Sequence, residues 1–289
     1  MKPANLYLVA TPLGNLDDIT FRAIHVLKTV DLIAAEDTRH SKILLERYGI
    51  KTPMTSLHEH NETAKIAHLL TQLQQGYSIA LISDAGTPLI SDPGYHLVAS
   101  AHRKCIKVVP VPGPCAAIAG LAASGLPTDH FVFEGFLPSH GAMRKKRLVA
   151  LAQEWRTVVF YESVHRIVNL MELMNEIFGG DRMATIAREL TKTFETIRTD
   201  TLAALRIWLI ENAEQQKGEF VVIVQGAAET GVTDQEVSER ILKILLAELP
   251  LKQAVMLATK ITGAKRKGLY SLALALMGNK KISGSQGQW

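Results

Sequence analysis

Apolar runs that end in glycine- and proline-rich turns, each followed by a helical stretch, limit what this chain can fold into. Residues 6–10 read as a strand that breaks at Thr11-Pro12-Leu13-Gly14-Asn15. Residues 78–83 repeat the pattern and open into Ser83-Asp84-Ala85-Gly86-Thr87-Pro88, while 107–111 turn at Pro112-Gly113-Pro114 into a small-residue helix over 115–123. A further strand is predicted at 31–36. Helices are predicted from about residue 20, with Phe21, Ile24 and Leu27 on one stripe, over 38–48, over 63–75 and from Tyr95. Strands that alternate with helices pair in parallel, because each crossover returns the chain to the same edge. Residues 1–125 are therefore expected to form an α/β lobe around a parallel sheet.

The rhythm changes near residue 126. Strands are predicted at 130–135, 157–161, 183–191 and 219–225, with helices at 166–178 and 202–213. Toward its end the order is β-α-β-β-α-β, which implies some antiparallel neighbours. Residues 126–230 thus read as a second α/β lobe with a mixed sheet. Residues 231–289 read as helical: 234–248, a break at Pro250, 251–261, then Gly263 and a last helix through Leu274.

The 289 residues suffice for two domains of ordinary size, and 47% apolar with 21% charged residues is the balance of a globular protein. The first apolar run is too short for a secretory segment, so a cytoplasmic protein is expected. Cys105 and Cys115 show no metal-ligand spacing and read as free thiols, and no metal is expected. The net charge of +4 permits an anionic partner without demanding one. Positive charge is dense at Arg144, Lys145, Lys146 and Arg147, and again at Lys260, Lys265, Arg266 and Lys267. Such runs are more often solvated faces than nucleic-acid contacts.

In an open parallel sheet the ligand crevice lies beyond the carboxyl ends of the strands. The three Gly/Pro turns after 6–10, 78–83 and 107–111 should border one pocket there. Neither G-x-x-x-x-G-K-[ST] nor a helix-opening G-x-G-x-x-G occurs, so the familiar phosphate cradles lack their motif. Backbone amides beside Asp84 are compatible with a small zwitterion that has a cationic centre, and by themselves they specify only a polar small molecule. Ser91, Asp92, Pro93 and Gly94 are expected to cap the next helix.

These residues carry a resemblance that covers nearly the whole chain. LYLVATPLGNLDDIT (6–20), AAEDTR (34–39), SDAGTPLISDPG (83–94), VPGPCAAIAGL (111–121), FEGFLP (133–138), FYESVHR (160–166) and GEFVVIV (218–224) resemble the class III, tetrapyrrole-methylase-like S-adenosylmethionine-dependent methyltransferases. Within that class they are similar to the branch that methylates the ribose 2′-hydroxyl of a cytidine in small-subunit ribosomal RNA. Porphyrin-directed members usually carry G-x-G-P-G-D and G-D-P turns. ATPLGN and SDAGTP stand in their place here, which favours the RNA branch.

The resemblance implies a two-lobed enzyme, usually a homodimer, with S-adenosylmethionine in the cleft. Its donor contacts correspond to Pro12, Leu13 and Gly14, to Asp84, Ala85, Gly86 and Thr87, and to Cys115 and Ala116. Second-lobe contacts fall on Tyr161 and around Ala187, Arg188 and Glu189. It also gives the helical C-terminus a role beyond packing, as a helix-turn-helix-like pair offering Lys260, Lys265, Arg266 and Lys267 to RNA phosphates, and Arg144, Lys145, Lys146 and Arg147 are expected to contribute phosphate contacts as well.

Methylating a ribose hydroxyl requires alignment behind the donor methyl and removal of the proton. Candidates for this follow the second strand and the stretch before residue 63: Glu36, Asp37 and Arg39, then His58, His60, Asn61 and Glu62. Arg39 can hold a phosphate, and Asp37 or His58 can accept the proton. A histidine ordinarily titrates near pH 6.5, which suits that task. His165 and Arg166 read either as a substrate clamp or as a solvated helix start. Two further readings stay open: a small tetrapyrrole-like substrate, and a non-catalytic RNA-binding assembly factor.

Overall fold

The computed structural model describes residues 4–58, 62–228 and 234–283. The chain divides into two compact units, residues 1–227 and 228–289.

The first unit holds both α/β lobes. Strands β1 (Asn5–Val9), β2 (Leu32–Ala35), β3 (Met54–Ser56), β4 (Ile79–Ile82) and β5 (Lys107–Val111) form one sheet in the order β3-β2-β4-β1-β5. Every neighbouring pair is parallel, with Leu6 opposite Ile79 and Ala35 opposite Ile82. The central strand IALI is buried on both faces, as a parallel strand covered by helices must be. Helices α1 (Phe21–Thr29) and α2 (Thr38–Arg47) bring Val26, Leu27 and Leu44 to one face. On the other, α3 (Glu62–Gln74) and α4 (Tyr95–Arg103) bring Leu69, Leu73 and Leu97. Because all five strands point one way, their carboxyl ends share one edge of the sheet, and the Gly/Pro turns meet there.

Helix α5 (Ala116–Ala123) joins the lobes. Its AAIAGLAA sequence is small for a reason of packing. A Cβ on Gly120 would lie 3.1 Å from Val221 Cγ1, so the helix approaches the second sheet closely. That sheet runs β6-β7-β10-β8-β9, from β6 (Phe131–Phe136), β7 (Thr157–Ser163), β8 (Met183–Arg188), β9 (Thr196–Thr201) and β10 (Glu219–Val224). Only β6 and β7 pair in parallel; the remaining pairs are antiparallel. Its far face packs on α6 (Gly141–Leu151), α7 (Ile167–Phe178) and α8 (Leu202–Glu211) around Phe160, Met171 and Leu205.

Three elements depart from the sequence expectation. β3 has three residues and sits at the sheet edge, too short for a periodic signal. β9, TIRTDT, is a polar edge strand whose identity comes from pairing with β8. α6 is hidden within the basic run, its buried stripe being Arg144, Leu148 and Leu151.

The second unit consists of α9 (Asp234–Glu248), α10 (Leu251–Thr262) and α11 (Arg266–Ser283) around Leu242, Val255, Ala258, Leu269 and Ala273. α10 ends on Gly263, left-handed at φ 71°, whose N–H bonds Thr259 O; the turn through Ala264 and Lys265 then opens α11. Lys260, Lys265, Arg266 and Lys267 are all exposed. No described helix is long and apolar enough to cross a membrane.

Candidate active site

A cavity of about 330 Å³ lies in the first unit, at the carboxyl edge of the parallel sheet and against the near face of the second sheet. Its first-lobe wall includes Leu13, Glu36, Asp84, Ala85, Gly86, Thr87, Asp92, Cys115 and Ala116; its second-lobe wall includes Phe136, Tyr161, Leu190, Lys192 and Val221.

The three turns are bonded to one another, which makes the first-lobe wall rigid. Thr11 N–H donates to Gly86 O (2.8 Å) and Gly86 N–H to Thr11 O (3.0 Å). Thr11 Oγ1 donates to Ser83 O (3.1 Å), and Thr87 Oγ1 to Pro114 O (2.9 Å). Gly86 adopts φ 83°, and a Cβ there would stand 3.2 Å from Leu13 Cδ2. Gly86→Val is therefore expected to distort the turn and weaken donor binding severalfold while the chain stays folded. Titration calorimetry on the folded variant checks this, and unchanged affinity removes the turn from the site.

Carboxylates gather at one side. Glu36 Oε2 accepts from Asp84 N–H (3.4 Å), and Asp84 Oδ1 accepts from Asp37 N–H (3.0 Å), tying the ends of β2 and β4 together. Burial pushes the Glu36 carboxyl above its ordinary range; Asp84 and Asp37 add to the shift, opposed by the Asp84 N–H and His58. Asp92 is pushed up to about 6, chiefly by burial and further by Glu36 and Asp84, against a hydrogen bond from Ser83. Asp92 lines the cavity instead of capping α4. The residue at that cap is Gly94, without a side-chain bond.

On the opposite side Tyr161 Oη accepts from Ala117 N–H (3.0 Å), at the start of α5. Its phenol stays protonated far above the ordinary range, mainly through burial.

Of the donor contacts expected on the first lobe, Leu13, Asp84, Ala85, Gly86, Thr87, Cys115 and Ala116 reach the cavity. Pro12 and Gly14 do not line it; a Cβ on Gly14 would lie 2.3 Å from Lys192 Cγ, so this glycine lets the loop of the second lobe pass. Tyr161 is at the wall, but Ala187, Arg188 and Glu189 are not. Ala187 is buried in the cluster with α5, and Arg188 spends its guanidinium on the carbonyls of Lys217 and Phe194. Glu189 accepts from Lys192 Nζ and Glu219 N–H. Leu190, Lys192 and Val221 take their place. Val221 sits opposite Ala187 in the sheet register, a relation that exists only after the strands pair.

The catalytic candidates also separate. Asp37 caps α2 and holds Arg39 through its own side chain (2.8 Å to Nη2), which keeps its carboxyl well below the usual range and makes it a poor proton acceptor. Arg39 remains 91% exposed beside it. His58 follows the carboxyl end of β3, near Glu36, and neither it nor Asp37 lines the cavity. Glu62 is buried, and its Oε1 accepts from His96 N–H (3.2 Å) at the start of α4, so it braces two helices and is not available to a substrate. Asn61 and His60 lie outside the described residues.

The basic run on α6 is mostly committed. Arg144 is 3% exposed and donates to Pro138 O and Asn169 Oδ1. Lys145 pairs with Glu176 and Arg147 with Glu134, and Lys145, Lys146 and Arg147 are all exposed to solvent. Arg166 pairs with the buried Glu162 (2.7 Å) and also reaches Leu137 O, so it is a structural anchor; His165 is exposed.

The cavity suits the sulfonium donor on its own chemistry. A rigid turn lets the backbone approach, carboxylates face a cation, and Leu13, Leu190 and Val221 offer an apolar wall. Its volume is within the range of about 300–1,000 Å³ usual for small-molecule sites.

Residues 5–206 match the family model for Tetrapyrrole (Corrin/Porphyrin) Methylases, and residues 232–277 match the RsmI C-terminal HTH domain. Ribosomal RNA small subunit methyltransferase I of Pseudomonas aeruginosa is 52% identical over 280 residues, covering 96% of this chain and 99% of that protein. The chain belongs to the ribosomal RNA small subunit methyltransferase I family. The Escherichia coli O157:H7 member is 50% identical, covering 94% of this chain and 96% of its own. Among solved structures, uroporphyrin-III-C-methyltransferase from Thermus thermophilus superposes with a TM-score of 0.56 at 19% identity, covering 79% of this chain and 96% of that one. The methyltransferase CobJ gives 0.59 at 20%, covering 78% and 95%. At those identities the likeness is one of fold, and it agrees with the two-sheet architecture of the first unit. Membership of the methyltransferase I family brings S-adenosylmethionine as the methyl donor, and the cavity described above is where this chain's residues fit it.

Proposed function

We propose that the chain transfers the methyl group of S-adenosylmethionine to the ribose 2′-hydroxyl of a cytidine in small-subunit ribosomal RNA. The observation that carries this is the cavity with three facing carboxylates, in a chain whose relatives are named ribosomal RNA small subunit methyltransferases. The donor supplies an electrophilic methyl on a sulfonium centre. Glu36, Asp84 and Asp92 offset its positive charge, and the 84–87 turn orients it. His58 accepts the proton of the hydroxyl, beside Glu36. Arg39, steadied by Asp37, holds a phosphate next to the target ribose. Alignment of this kind accounts for up to about 7–11 kcal/mol of barrier, more than the roughly 10²–10⁴-fold from proton transfer.

The substrate in this reading is the assembled subunit, met in the cytoplasm by a homodimer. Lys260, Lys265, Arg266 and Lys267 of the second unit bind RNA phosphates, with the exposed Lys145, Lys146 and Arg147 contributing from α6. Neutralising the four residues near α11 is expected to weaken RNA binding and flatten its salt dependence, since fewer counterions are released. Equal salt slopes for wild type and variant would return these charges to solvent.

The deciding experiment incubates labelled donor with small-subunit particles, naked small-subunit RNA or tetrapyrrole precursors, and then digests the product to nucleosides. Labelled 2′-O-methylcytidine is the expected product. Label on a tetrapyrrole, or binding without transfer, would select one of the two other readings.

A further inference from the structure

The segment joining β8 to β9, residues 189–195, has no regular secondary structure and is nevertheless tied down at almost every residue. Glu189 (φ 51°) and Thr191 (φ 67°) occupy the left-handed region, which non-glycine residues hold only where the surroundings over-determine them. The surroundings do so here. Arg188, 8% exposed, donates from its Nη1 to Phe194 O (2.9 Å). Glu195 Oε2 accepts from Thr191 N–H (2.6 Å), and Glu195 N–H donates to Lys192 O (3.0 Å). Lys192 Nζ bridges Glu189 (3.0 Å) and Glu219 (2.8 Å). Thr191 Oγ1 accepts from Asn15 N–H (3.2 Å), fastening the loop to the first turn of the other lobe.

This bonding fixes the backbone that carries an aromatic side chain the fold leaves exposed. Phe194 is 71% exposed, while Leu190 and Lys192 of the same loop line the donor cavity. A single exposed aromatic is ordinary on a mobile surface loop. On a loop braced by a buried arginine at the edge of a methyl-transfer cavity, it is a preorganised flat surface. Lys192 is already neutralised by two carboxylates, so the loop offers stacking area in preference to a free phosphate ligand.

We propose that Phe194 is a positioning residue whose ring stacks on a base of single-stranded RNA, holding the strand so that the target ribose faces the donor cavity. Aromatic stacking of unstacked bases is a general means of RNA recognition and tolerates any base. The inference deepens the proposed function and rests on it for the identity of the RNA.

The test uses the full chain with Phe194→Ala and Phe194→Trp. The alanine variant is expected to raise KM for the ribosomal substrate about fivefold or more, with donor affinity by calorimetry unchanged. The tryptophan variant is expected to keep the wild-type KM, and its added indole emission to be quenched by small-subunit RNA. Wild-type KM in Phe194→Ala overturns the proposal. So does a parallel loss of donor affinity, which would make the ring a support of the cavity wall. If the wild-type protein methylates no RNA, the functional reading fails by itself. The quenching measurement then still decides the stacking, and its absence overturns it.

Discussion

Replacing His58 by alanine is expected to lower kcat on saturating ribosomal substrate by at least about 100-fold, with donor affinity retained. The expectation rests on position. Leu57 N–H donates to Ala35 O (2.7 Å) and extends the β2–β3 pairing by one residue, while Glu62 N–H donates to His58 O (3.0 Å). His58 is thereby held at the carboxyl edge of the sheet, near Glu36 of the cavity wall. Asp37, the competing acceptor, is engaged by Arg39 and by the first turn of α2, and a carboxylate stabilised in its charged form is a weak base. A near-normal kcat would leave alignment alone as the source of the rate.

Donor affinity is expected to rise about tenfold between pH 5 and pH 7, with up to one proton released on binding. The group responsible is Asp92, raised to about 6 by burial and by Glu36 and Asp84. The sign follows from the direction of the shift. A carboxyl raised on folding contributes stability in its protonated form; that contribution is complete below the unfolded value near 3.9 and is lost as pH climbs through about 6. Above pH 6 the donor-free protein therefore holds repelling carboxylates, and a sulfonium relieves the repulsion. S-adenosylhomocysteine has lost that positive charge and should show a much shallower dependence, so the same cluster favours donor entry and product release. Asp92→Asn should flatten the profile for the donor and raise Tm above pH 6. Calorimetry across this pH range gives both slopes, and equal slopes for donor and product would sink the idea.

The sequence was most informative where short-range rules decide structure. Turns such as Thr11-Pro12-Leu13-Gly14 and Asp84-Ala85-Gly86-Thr87 announce themselves, because glycine and proline are selected by backbone geometry. Their location beyond parallel strands follows from the β-α alternation. That was enough to find the first-lobe wall, from Leu13 through Ala116. It was not enough for the charges. Asp92 reads as a helix cap and Arg144 as a phosphate ligand, since in a linear chain each sits where such a residue would serve; burial reassigns both.

What the chain determines by itself is the order of strands and helices, the parallel sense of the first sheet and the place of its glycine turns. These depend on periodicity and on φ preferences that neighbours in sequence impose. Tertiary structure alone decided that Leu190, Lys192 and Val221 line the cavity opposite the glycine turns while Ala187, Arg188 and Glu189 do not. It likewise decided that Glu36, Asp84 and Asp92 share one cavity. The physical reason is that burial and Coulomb interaction depend on distance in space. Asp84 and Asp92 share the connection between β4 and α4, whereas Glu36 follows β2, and the pairing of β2 with β4 brings its carboxylate to theirs.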